Sequence, residues 1–313
     1  MNQCAGTSAT PEPLPMDALF PAVRPVWRER FLTIAGVVLS FAVLIAAFRQ
    51  VGGFDRKILA QAPSNPWFWL CFFALYSVGP LMEWLILRRI WGIGVGALPA
   101  LLRKQVANEI VFGYSGDAQF YLWARRQLGL RESAFATLRD VTILSALAGN
   151  LATLLMMIAS APLLYSLADG TLLDAFSAST GVIVVSSLLI FAMRRTFVLF
   201  TLPPRDLLIT FGLHCLRIAI GLLATGLLWS LLLPGLPATT LIAVATLRMM
   251  VHRLPLLPSR DALLAPLILA LLGAASGLAA ATMLVAALSL VAHLLVGTAT
   301  SLGLLAVRPP ARA

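Results

Sequence analysis

The chain has 313 residues, of which 60% are hydrophobic and only 12% charged, and its mean hydropathy is +0.92. Soluble domains run near half apolar and a quarter charged, so this apolar surface cannot all be hidden in a water-soluble core and the bilayer must be its solvent. A formal charge of +10 would suit nucleic acid, but the basic residues sit between apolar stretches rather than on one soluble module. That excludes a nucleic-acid partner and assigns the charge to orientation in a membrane.

In chain order, residues 1–30 hold five prolines and no apolar signal-like core, so a disordered tail is expected there, with no cleavable signal and no lipid on Cys4. Membrane segments are expected at about 31–48, 66–87, 141–167, 177–193, 207–233, 238–254, 262–281 and 283–306. A run of about 20 residues rising 1.5 Å each matches a hydrocarbon layer of roughly 30 Å. The expected fold is therefore all-α, a polytopic transmembrane helical bundle of about eight membrane segments forming one domain over 31–307, with a short tail at 308–313.

Lysine and arginine alternate between the connecting segments. Three precede the first span, seven lie between Arg88 and Arg131, and Arg194, Arg195 and Arg205 follow the fourth; Arg248, Arg253, Arg260, Arg308 and Arg312 fall on the same side. Only Arg49, Arg56 and Lys57 fall on the other. The positive-inside rule then puts both ends in the cytoplasm, in a multi-pass protein of the inner (plasma) membrane.

Two regions break the pattern of simple spans. Ala97 to Leu128 is too polar to cross, yet carries apolar residues at helical spacing on either side of Gly113-Tyr114-Ser115-Gly116-Asp117. Two short helices joined by a glycine turn are expected, re-entrant or interfacial, with Asp117 capping the second. In the other region, about ten apolar residues run into Arg248, Met249, Met250, Val251, His252 and Arg253, followed by Pro255 and Pro258. Ten residues cover only about 15 Å of helix, so Arg248 is expected near mid-depth beside backbone that the prolines unwind. Such backbone is tolerated in a bilayer only where protein or a wet cavity surrounds it.

The candidate site residues follow from these breaks. Arg217 lies ten residues into its span, with His214 on the same face. A central arginine costs at least about 2.5–3.5 kcal/mol to insert, so it must face a cavity or pair with an acid such as Asp140. Arg248 and His252 share a face at i and i+4 beside the proline break, where transporters expose helix ends to anionic groups; a solvated cytoplasmic cap is the alternative. Asn108, Glu109, Ser115 and Asp117, with Gln119, Arg125 and Arg126, form a third cluster, lining a substrate path or contacting anionic headgroups at the surface. Glu83, beside Arg88 and Arg89, reads as an interfacial residue.

No catalytic machinery is expected. Gly113-Tyr114-Ser115-Gly116 matches the short GxSG of intramembrane serine proteases, and His293 lies near glycines, but the serine sits in a charged stretch about 180 residues from that histidine. The nucleophile elbow fails at Asp117, and phosphate-loop and HExxH motifs are absent. Cys4, Cys71 and Cys215 are far apart with no CxxC pair, so no metal and no cofactor is expected.

At two places the chain resembles the lysylphosphatidylglycerol synthase transmembrane family of flippase-like membrane proteins. Asn108-Glu109 through Gly113-Tyr114-Ser115-Gly116-Asp117 to Leu122, and on to Arg131-Glu132-Ser133-Ala134, is similar to that family's turn and following helix. Arg253-Leu254-Pro255-Leu256-Leu257-Pro258 resembles its R-L-P-x-x-P turn, with Ser259, Arg260 and Asp261 where glycines would stand. The resemblance covers about 31–307. It implies a lipid-handling protein with two re-entrant elements facing a cavity for a phospholipid or glycolipid headgroup, in which Arg217 and Arg248 attract the headgroup and Asn108, Glu109, Ser115 and Asp117 line its path. The expected partners are membrane lipids. The alternative is a non-transporting accessory protein that holds a lipid-biosynthesis or glycan-biosynthesis enzyme at the membrane.

Overall fold

The computed structural model describes residues 62–110, 114–128, 133–167, 200–252 and 277–306, together with a few helical positions between 180 and 187 and between 264 and 269. The expected tail at 1–30, the first span at 31–48, most of the fourth span, and Arg253 to Asp261 lie outside the described residues. All regular structure among the described residues is helical. We label the helices α1 (Pro66–Trp91), α2 (Leu98–Ile110), α3 (Ser115–Leu128), α4 (Ser133–Leu167), α5 (Pro204–Leu232), α6 (Ala238–Val251) and α7 (Leu278–Ala306).

Four segments are long and apolar enough to cross a membrane: Pro66–Trp91, Ala134–Pro162, Pro204–Leu232 and Leu278–Thr300. Each bears large apolar side chains on its outer surface; on α5, Leu208, Leu223 and Leu227 are more than half exposed. A soluble protein would not leave such a face open, whereas hydrocarbon solvates it. Since lipid tails are as apolar as leucine, contacts between these helices are held by close packing and polar bonds more than by exclusion of water. At 14 residues α6 is about 21 Å long, too short to cross alone. The last two spans divide differently from the expected boundary near residue 282. α7 begins at Leu278, just after Gly277 with its φ of +64°, a few residues before the expected start at 283.

α1 shows how sequence sets a helix and its register. The Asn65 side chain accepts from the Trp67 amide at 3.0 Å, Pro66 occupies the first turn where no amide bond is lost, and Gly92 closes the helix at φ +67°. α5 packs antiparallel to it. Arg89 Nε meets Asp206 Oδ1 at 2.9 Å at one end, Leu75 touches Gly221 further along, and Leu228 packs among Phe68 and Phe72 at the other end. This register brings Arg217 level with about Gly79, near the middle of both helices.

α2 folds back alongside α1 instead of leaving it. Leu101 packs with Leu87 near the end of α1, and Gln105 reaches the Tyr76 carbonyl at its middle, about 22 Å from Trp91 by helical rise. Pro80 explains that second contact. Lacking an amide hydrogen, it leaves the carbonyl four residues earlier, that of Tyr76, without its helical partner, and Gln105 Nε2 donates to it at 3.0 Å. α3 returns against α2, with Phe120 packed on Leu101 and stacked at 6.5 Å on Trp91. The two cross so closely at Gly116 that a Cβ there would lie 2.0 Å from the Lys104 carbonyl oxygen. Only glycine fits at that position. The expected pair of short helices is therefore observed, while residues 111–113 between them lie outside the described residues.

Candidate polar cavity between the helices

A cavity of about 630 Å³ opens where the α2–α3 tip meets α1, α4, α5, α6 and α7. It is lined by seven of the eight expected site residues: Asn108, Glu109, Asp117, His214, Arg217, Arg248 and His252. Three clusters that lie apart in sequence, at 108–117, 214–217 and 248–252, thus meet in one place. Ser115 is the exception. Its hydroxyl donates to the Ala107 carbonyl at 2.7 Å, so it ties α3 to α2 rather than facing the cavity. His293 pairs through Nδ1 with the Tyr76 hydroxyl at 3.0 Å.

The hairpin is built around Lys104, which is almost fully buried. Its ammonium bridges Glu83 of α1 and Asp117 of α3, the latter at 2.8 Å, and lies 5.8 Å from the Phe120 ring centre. Asp117 also accepts from Asn108 Nδ2 at 3.0 Å, and Asn108 Oδ1 accepts the Gly116 amide at 2.7 Å. That amide bond satisfies one of the open donors at the start of α3, so Asn108 rather than Asp117 supplies the cap. Burial by itself would lower the Lys104 pKa, but the two carboxylates and their hydrogen bonds outweigh it and hold the group above the ordinary 10.5. Glu83 is therefore corrected from an interfacial residue to a wall of the cavity. Its pairing was predictable in kind, since an acid inside an otherwise apolar span needs a partner.

Arg217 differs. The suggested pairing with Asp140 is not made. Asp140 is fully buried and receives Arg139 Nη2 at 3.0 Å on one oxygen, while the other accepts the Thr201 amide at 2.6 Å, the Thr201 hydroxyl at 2.8 Å and the Leu202 amide at 3.0 Å. It pins the approach to α5 on α4, a structural task that saturates it. Arg217 Nη2 donates to the neutral Ser145 Oγ at 3.0 Å, and among the described residues no carboxylate pairs with it. One turn earlier, His214 is 3% exposed, with the Val141 backbone beside its ring and no well-aligned hydrogen bond on either nitrogen among the described residues. A guanidinium and an imidazole with unspent donors thus face the same cavity.

α6 contributes the remaining cationic wall. Thr246 holds it to α4 by donating to the Met156 carbonyl at 3.1 Å, and Arg248 lies in its last turn, with His252 capping the end. Tyr76, Gln105, Ser145 and Asn150, which were not singled out from sequence, also line the cavity, as does His293. One signal was available: the chain has three histidines, and all three line this single cavity. Among the described residues no group of His, Cys, Asp and Glu is arranged to hold a metal ion. Comparison with family models, curated proteins and solved structures returns no match for this chain.

Proposed function

We propose that this chain is a lipid-handling protein of the inner (plasma) membrane, which moves a phospholipid or glycolipid headgroup through the polar cavity while its acyl chains stay in hydrocarbon. In this reading the α2–α3 hairpin is a re-entrant element, α6 with the proline-rich segment after it is the second, the bundle has about eight membrane segments, and the basic loops and N-terminus face the cytoplasm. The resemblance to the lysylphosphatidylglycerol synthase transmembrane family belongs to the same proposal.

One observation carries it: the Arg217 guanidinium bonds a serine and forms no ion pair with any described residue, beside a buried His214 with no well-aligned hydrogen bond, in a cavity large enough for a headgroup. An arginine placed centrally in a membrane helix is too costly to keep without a compensating anion, and a headgroup phosphate matches its planar fork in two parallel hydrogen bonds. The hairpin supports the reading too. Its polar side chains Gln105 and Glu109 line the cavity beside the middle of α1, and polar groups inside a bilayer are tolerated where protein or a water-filled cavity surrounds them.

The test is transport of acyl-labelled phospholipids by the purified chain in reconstituted vesicles, compared with Arg217→Ala. Loss of movement in the variant is expected, and unchanged movement would reject the role given to Arg217. If the wild-type chain moved no lipid but captured a lipid-biosynthesis enzyme, the accessory reading would replace this one.

A further inference from the structure

Among the described residues the cavity is lined by three carboxylates, Glu83, Glu109 and Asp117, and by three fixed cations, Lys104, Arg217 and Arg248, so their formal charges cancel in a chain that carries +10. The positive excess that orients the protein is not concentrated where a ligand would sit. A site selecting anionic headgroups would be expected to keep such an excess, because each acid facing an anion in a low-dielectric cavity opposes its entry.

Charges of both signs are also left without partners. Lys104 is absorbed between Glu83 and Asp117. Arg217 on α5 bonds Ser145 and feels Glu83 only at a distance, and neither it nor Glu109 on α2 makes an ion pair with any described residue. One occupant satisfies both walls: a headgroup with a phosphate for Arg217 and the buried His214, and an ammonium for Glu109. An anionic headgroup would leave Glu109 uncompensated, and an uncharged sugar headgroup would leave both Glu109 and Arg217 so.

Resting on the lipid-handling reading above, we infer that the substrate is a zwitterionic phospholipid of the phosphatidylethanolamine type, with Arg217 and His214 binding the phosphate and Glu109 the ammonium. The test is native mass spectrometry of the full-length chain incubated with equal amounts of phosphatidylethanolamine and phosphatidylglycerol bearing the same acyl chains. The wild type is expected to retain the zwitterionic lipid with about tenfold preference, the scale of a charge-assisted hydrogen bond. Glu109→Gln, which preserves side-chain shape, is expected to bring that ratio near parity while phosphatidylglycerol binding persists. A wild-type ratio at parity or favouring phosphatidylglycerol, or a preference that survives Glu109→Gln, would overturn the assignment. The wild-type ratio tests it even if the variant fails to fold. Water-soluble phosphoethanolamine in tenfold excess is expected to leave the bound lipid in place; displacement would assign the site to a soluble ligand and overturn the lipid. Should phosphatidylglycerol be bound and moved in an Arg217-dependent way, this inference falls and the lipid-handling reading stands; if no lipid moves in vesicles, that reading falls and takes the inference with it.

Discussion

Lys104 and Arg217 are both cations drawn into the interior of the bundle, and both line the same cavity, yet the first is held by two carboxylates and the second by a serine. The Lys104 centre closes three helices on one another: Glu83 from α1, Lys104 from α2, Asp117 from α3. Arg217 ties α5 to α4 only through the neutral Ser145 hydroxyl. A compensated buried charge in this fold is architecture, and a charge left without an acid marks where something else must bind.

Removing the compensated cation should have the largest effect. Lys104→Met leaves Glu83 and Asp117 facing each other without their counter-ion, and is expected to lower stability by about 3–5 kcal/mol, read as the shift in a denaturant unfolding midpoint. Gly116→Ala attacks the same centre through the backbone. Its Cβ would meet the Lys104 carbonyl at 2.0 Å, so a loss of about 3 kcal/mol is expected, with α2 and α3 forced apart and amide exchange in Ser115–Leu128 accelerated. Gln105→Ala strips the partner from the Tyr76 carbonyl and should cost about 1–2 kcal/mol. In a Pro80→Ala background the restored amide can bond that carbonyl within α1, and the same substitution should then cost less than half as much.

A pH titration should show almost nothing from Lys104 near neutrality. Its folded pKa is raised above the unfolded 10.5, so its stabilisation is fully present below that value and is lost only as pH rises through the higher folded pKa. A stability decrease traced to Lys104 between pH 6 and 9 would contradict the pairing.

The long helices were legible because windows of eighteen or more apolar residues have few other solutions. The hairpin was legible because its polar residues flank a glycine turn at helical spacing, and the cavity because a basic residue inside an apolar run has to face something. What stayed hidden was pairing across elements. Nothing local to Glu83 says that α2 doubles back along α1, and that register turned an expected interfacial acid into one arm of the Lys104 bridge. Asp140 had two plausible roles in one dimension, and the three bonds it accepts from Thr201 and Leu202 decided between them. The meaning of Pro80 depends on Gln105, 25 positions later, supplying the donor that the proline removed.

The contrast between the two cations is tested most directly by measuring stability and lipid movement together in Arg217→Gln. The chain should unfold within about 1 kcal/mol of the wild type, or at higher denaturant, because a guanidinium without an acid adds little to the fold, while movement of labelled phospholipid in vesicles is lost. A variant as destabilised as Lys104→Met, or one that still moves lipid at the wild-type rate, would show that Arg217 is part of the architecture after all.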